Sequence, residues 1–112
     1  MLYYEDHQFA VTKTLGTPDS NIEIKTVSAT DAWSIHITDV VVSMGSNAGS
    51  FTLQDEDDNV LLGPLQLGVD TSYALSLNTP IKLPQGKNLE YDKEAASDEG
   101  SVFVAGYLGK DV

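Results

Sequence analysis

The chain contains no cysteine, which excludes a disulfide framework and any thiolate metal site. Its fold must come from packing and sheet pairing, with oligomerisation as the remaining resource. Arginine is missing as well, so all six basic residues are lysines. That removes the side chain best suited to bidentate recognition of carboxylate or phosphate. Seventeen Asp and Glu residues outweigh the lysines, and the formal net charge is -11. A chain of this charge repels phosphate backbones, whose binding depends on Lys and Arg to release counterions. An electrostatic contact with an anionic membrane is excluded on the same ground. Neither nucleic acid nor membrane is therefore expected as a partner.

No apolar run approaches the roughly 20 residues that a membrane-spanning helix needs. The opening Met1-Leu2-Tyr3-Tyr4-Glu5-Asp6 lacks the basic and apolar regions of a secretory signal, so the chain is expected to be made as a soluble protein. Catalytic signatures are missing too. There is no G-x-S-x-G, no cysteine nucleophile and no lysine in an evident apolar pocket. His7 and His36 are too isolated for the spacing of a metal centre. Scattered carboxylates could form a glycosidase pair on a β-sandwich, but an acidic surface gives the same pattern. The expectation is a non-enzymatic chain with no cofactor.

No segment keeps a helical i, i+3, i+4, i+7 pattern over three turns. What the sequence has in quantity is short apolar runs separated by turn signals. Phe9-Ala10-Val11-Thr12 reads as a short strand, and Gly16 to Asn21 as a loop. Ile22 to Val27 alternates apolar and polar residues, the signature of a half-buried strand. Trp33, Ile35 and Ile37 alternate with Ser34, His36 and Thr38, then pass into Val40-Val41-Val42. That change of phase predicts either a strand covered on both faces or a bulge that shifts the register. A loop from Met44 to Ser50 follows. Phe51 to Leu67 then reads as a β-hairpin around the tip Asp55-Glu56-Asp57-Asp58-Asn59.

Tyr73, Leu75 and Leu77 mark the next strand, which Pro80 is expected to end because proline cannot donate to a ladder. Ile81 to Leu83 would be a separate short strand, and Pro84 heads a turn. Leu89 and Tyr91 begin another strand. An acidic loop, Glu94 to Gly100, leads to the last strand, Ser101 to Leu108. The fold class is therefore all-β: a jelly-roll-like antiparallel β-sandwich of about eight short strands with no substantial helix. Residues 1–21 form an N-terminal arm or first strand with its loop, and 22–112 a single β-sandwich domain.

Three groups of residues are candidate sites. Asp55, Asp57 and Asn59 offer hard oxygen ligands at alternate positions, as a calcium loop does. The remainder of the EF-hand template does not follow, because Val60 stands where its glycine belongs and Gln66 where its glutamate belongs. A solvated hairpin tip, whose short acids suit turn geometry, is the preferred reading. Leu2, Tyr3, Tyr4 and Phe9 form an apolar N-terminus, which covers either the core of its own domain or a partner surface. Phe103 and Tyr107 share one face of the last strand, opposite Val102 and Val104. A strand apolar on both faces must be covered on both, here by the N-terminal segment or by another subunit.

From about Ile35 onward, some two-thirds of the chain resembles the small jelly-roll proteins that decorate or cement the capsids of tailed bacteriophages. The resembling stretches are consecutive. They are Asp39-Val40-Val41-Val42-Ser43, Phe51-Thr52-Leu53-Gln54-Asp55, and Leu62-Gly63-Pro64-Leu65-Gln66-Leu67. Thr79-Pro80-Ile81-Lys82-Leu83, Gly86-Lys87-Asn88-Leu89 and Val102-Phe103-Val104-Ala105-Gly106-Tyr107 complete them. The resemblance implies a homotrimer, made in the host cytoplasm, that binds the major capsid protein on the outer surface of the virion and stabilises the shell. Similar domains occur at phage tail tips. The alternative is thus a receptor- or glycan-binding tail domain, with Trp33, Tyr73 or Tyr91 stacking on sugars. A bacterial β-sandwich adhesion module is a third reading.

Overall fold

The chain folds as a set of nested strand pairs centred on one hairpin. The computed structural model describes residues 8–14, 19–27, 30, 33–45, 48–95 and 100–110. In chain order its strands are β1 (Gln8–Thr14), β2 (Asp19–Lys25), β3 (Trp33–Met44), β4 (Gly49–Asp55), β5 (Val60–Leu67), β6 (Ser72–Lys82), β7 (Leu89–Ala95) and β8 (Gly100–Lys110). Among the described residues there is no helix.

β4 pairs with β5 as the hairpin read from the sequence. Around it β3 pairs with β6, β2 with β7 and β1 with β8, all antiparallel. The nest then rolls over itself, so that β8 also pairs with β3 and β7 with β4. Two four-stranded sheets result, in the orders β1-β8-β3-β6 and β2-β7-β4-β5. This is the strand order of a jelly roll. The all-β, jelly-roll-like sandwich expected from the sequence is the fold found.

Period-2 alternation places the core. Phe9, Ile35, Ile37, Val40, Val42, Val102 and Val104 come from the inner face of the first sheet. Ile24, Phe51, Leu53, Leu89 and Tyr91 meet them from the second. The rings of Phe51 and Tyr91 stack with centroids 5.6 Å apart. Both sets lie between the sheets, where apolar area leaves water at about 25 cal/mol per Å².

The change of phase in β3 is a bulge. Ile37 pairs with Gly106 and Asp39 with Ala105, so Thr38 is the extra residue. Ile35 and Ile37 face inward before the bulge, Val40 and Val42 after it, and Val41 is left outside. Of the two sequence readings, the register shift is the one found.

Several boundaries differ from expectation. Pro80 does not end its strand: β6 runs unbroken from Ser72 to Lys82, with Ile81 and Lys82 in it. β6 is an edge strand, so proline's missing N–H costs no internal ladder bond. The pairing nevertheless steps from Ile37–Ile81 to Asp39–Ser76, leaving Leu77 to Pro80 without a partner on β3. Proline interrupts the register and leaves the strand intact. β2 begins at Asp19, inside the expected loop, because antiparallel pairing with β7 extends it. β3 runs on to Met44, which is buried. β8 starts at Gly100 and reaches Lys110.

Candidate interaction surface

β8 turns Val102, Val104 and Gly106 inward, which obliges Phe103, Ala105 and Tyr107 to face outward from the first sheet. Beside Phe103 on β3 stands Val41, 40% exposed, and beyond Val41 on β6 stands Ala74. Tyr107 pairs with His36, and their rings stack 4.7 Å apart at an interplanar angle of 8°. His36 donates through Nδ1 to the Ser34 carbonyl at 3.1 Å, which orients the ring.

Between the two aromatic rows the surface dips. Ala10, Ala105 and Gly106 contribute little bulk beside Gln8 and Thr38, leaving an open depression of about 410 Å³. Asp39 is the one described carboxylate on this face. It accepts a 2.9 Å hydrogen bond from the Thr38 hydroxyl, which also lies 3.2 Å from the Ala105 carbonyl. The face is thus weakly charged, and apolar along its centre.

The outer face of the second sheet is its opposite in character. Glu23 on β2 pairs directly with Glu90 on β7, with Asp92 two residues along the same strand. Burial pushes the Glu90 carboxyl above its ordinary value of 4.5, and Glu23, Asp58, Glu56 and Asp92 push it further. The folded state therefore holds the Glu90 proton more tightly than the unfolded chain does. The resulting penalty is absent below the unfolded value of 4.5 and complete above the raised folded one. Glu90→Gln is expected to stabilise the protein at pH 7 by about 0.5 kcal/mol, the scale of a like-charge cross-strand pair. Thermal unfolding at pH 7 and at pH 4 checks this: the gain should vanish at the acid end.

The hairpin tip is not a set of solvated acids throughout. Asp55 is 1% exposed and accepts from the backbone amides of Asp57 (2.9 Å) and Asn59 (3.0 Å) through Oδ1. Its Oδ2 accepts from Asn59 Nδ2 at 3.0 Å. Burial by itself raises the Asp55 pKa, but the bonds from Asn59 and Asp57, with the Lys87 charge, hold it below 3.8. Asp57 pairs with Lys87 Nζ at 3.0 Å. Of the three candidate cation ligands, the carboxylates of Asp55 and Asp57 are engaged with protein donors, and the Asn59 side chain is itself a donor to Asp55. No group of three or more His, Cys, Asp or Glu is placed to hold a metal ion among the described residues. Asn88 ties this end together: its amide N donates to Glu56, its side chain donates to Glu23, and its Oδ1 accepts from Val27 N.

The predicted contact residues are divided by the fold. Leu2, Tyr3 and Tyr4 lie outside the described residues. Phe9 belongs to the core and not to a docking surface, because its pairing with Gly106 turns it inward, where Lys25 Nζ sits 5.6 Å above its ring. Phe103 and Tyr107 come together with Val41 and His36 on one outer face. Tyr91 is buried against Phe51, so of the three aromatics suggested for sugar stacking it has no exposed face to offer. The Glu23–Glu90 pair was not anticipated, since no local pattern announces which acids become cross-strand neighbours.

No family model matches the chain, and no curated protein matches it. Among solved structures it is similar to the coat protein of Tobacco streak virus in two structures. A dimer structure overlaps all of this chain and 93% of the coat protein, with a TM-score of 0.36 and 13% identity. A second gives 0.38 and 12%, over 100% and 91% of the two chains. Likeness at this level transfers no role, partner or site to the present chain.

Proposed function

We propose that this chain is a non-enzymatic structural component of a bacteriophage virion, binding the outer capsid surface as a trimer and stabilising the shell. The observation that carries the reading is the contrast between the two outer faces. The first sheet presents Val41, Ala74, Phe103, Ala105 and Tyr107 around a single described carboxylate. The second presents Glu23, Glu90 and Asp92, with the acidic tip at its end.

A body of this kind docks through the face whose desolvation is cheap and turns the acidic face to solvent. Acidity on the exposed side keeps copies apart and soluble at high local density. Three linked copies turn weak contacts per subunit into firm attachment. Whatever binds only the assembled shell shifts its equilibrium away from disassembly.

Phe103→Asp tests the assignment of faces. The variant should retain its fold by circular dichroism and lose at least about tenfold in co-sedimentation with undecorated shells, whereas Glu90→Gln should bind like the parent. Equal binding by Phe103→Asp would remove this face from the interface. Light scattering at micromolar concentration should report three chains, and a stable monomer would count against the trimer.

A further inference from the structure

A jelly roll leaves four edge strands, and here they are unlike. β5 carries Gly63–Pro64 and two register shifts against β4. β6 carries Pro80 and the unpaired stretch from Leu77. β2 has two register shifts against β7. Prolines and bulges of this kind are how sheet proteins blunt their edges. β1 has neither. Its seven residues, Gln8 to Thr14, pair with β8 in one unbroken register, and no described strand lies on its other side.

We propose that the free edge of β1 takes up an extended, acid-bearing strand of another protein by strand addition. Main-chain hydrogen bonds along a regular edge supply the affinity, and side chains flanking it supply the selection. The charge at this edge selects a carboxylate. β1 has no acidic residue and carries Lys13, while Lys25 on the neighbouring β2 reaches over Phe9.

The same charges disfavour a second copy as the occupant. A β1–β1 pairing that uses all seven residues centres on Val11 and sets Lys13 opposite Phe9 of the other copy. Lys13 would then approach the ammonium of Lys25 that already lies over that ring. Lys13 thus guards the edge against self-pairing while leaving it open to an acidic strand.

Two blocked seven-residue peptides, TETVTVT and TKTVTVT, whose second residue lies opposite Lys13 in a full-length antiparallel pairing, test the proposal on the ¹⁵N-labelled full chain. The glutamate peptide at millimolar concentration should shift amide resonances of Gln8 to Thr14 and slow their hydrogen exchange. It should bind about fivefold or more tightly than the lysine peptide, the range of an opposite-charge against a like-charge cross-strand pair. Lys13→Glu should invert the order. Absence of shifts with both peptides, equal affinity for both, or shifts confined to β5 and β6 would overturn the proposal. So would ready disulfide formation between Ala10→Cys and Thr12→Cys variants mixed in equal amounts, which would make the occupant a second copy: residue 10 faces residue 12 in the β1–β1 pairing, and this chain is otherwise cysteine-free.

Discussion

Replacing Asp55 by alanine is expected to cost about 3 kcal/mol, far more than the loss of any other acid at the hairpin tip. The carboxylate is buried and accepts three hydrogen bonds: two from backbone amides and one from the Asn59 side chain. Hydrogen bonds to a charged acceptor are each worth about 1.5–3 kcal/mol and are not additive, and truncation would also strand donors in a buried turn. The turn leans on this cap. Asp58 sits at φ 66, a left-handed conformation that aspartate tolerates only with local support. Asp57→Ala provides the contrast, because it removes only an exposed ion pair with Lys87 and should change stability by less than about 0.5 kcal/mol. Urea unfolding of both variants at pH 7 would decide it. A loss below about 1 kcal/mol for Asp55→Ala would show that the cap is dispensable.

The pH dependence of that deficit follows from the sign of the shift. Asp55 has a folded value below 3.8, so it binds a proton less readily folded than unfolded. Its contribution is complete above pH 3.8 and is lost as pH falls through the lower folded value. The gap between parent and Asp55→Ala should therefore be widest at neutral pH and narrow below 3.8. Glu90 acts in the opposite sense, its penalty growing as pH rises. For these two carboxylates on neighbouring strands of one sheet, the window between 3.8 and 4.5 is therefore the one in which the Asp55 contribution is complete and the Glu90 penalty absent.

Much of this sheet architecture was legible as periodicity. The alternation at Trp33 to Ile37, its break before Val40, and the hairpin about residues 55–59 each corresponds to a structural event: strand, bulge and turn. Proline at position 80 misled because its effect depends on whether the strand is central or at an edge, and edge position is a property of the assembled sheet. The outer face was legible only in part. Phe103 and Tyr107 share a face by period 2, whereas Val41, Ala74 and His36 join them only through the register of β3 against β8 and β6. Asp55 illustrates the same limit at the tip. As the last residue of β4 it is drawn into the sandwich, while Glu56 to Asn59 remain exposed. Composition cannot separate it from its neighbours.

The register that assembles this face passes through Gly106, and Gly106→Ala is the second substitution expected to have a large effect. Gly106 lies opposite Phe9 on β1 and Ile37 on β3, next to the bulged Thr38. A Cβ there would run into the carbonyl group of His36, with its carbon at 3.0 Å and the oxygen closer still, and would lie 3.1 Å from Ile37 Cα. These are backbone atoms of a strand held between β8 and β6, so they cannot swing aside as a side chain would. The cost is expected near the upper end of overpacking penalties, about 3 kcal/mol, because relief requires β3 to separate from β8. Gly68→Ala is the matched control: its Cβ would meet only the Thr71 side chain at 3.6 Å, and the change should stay within about 0.5 kcal/mol. Should Gly106→Ala unfold at the same urea concentration as the parent, the close approach of the two strands would be refuted. If it is destabilised but still folded, the His36–Tyr107 stack should loosen with it, because the obstructed carbonyl belongs to His36 itself. The proposed shell binding would then fall without any change to an exposed side chain. That outcome would tie the proposed docking face to a bulge in the strand behind it, and not only to the aromatic residues it displays.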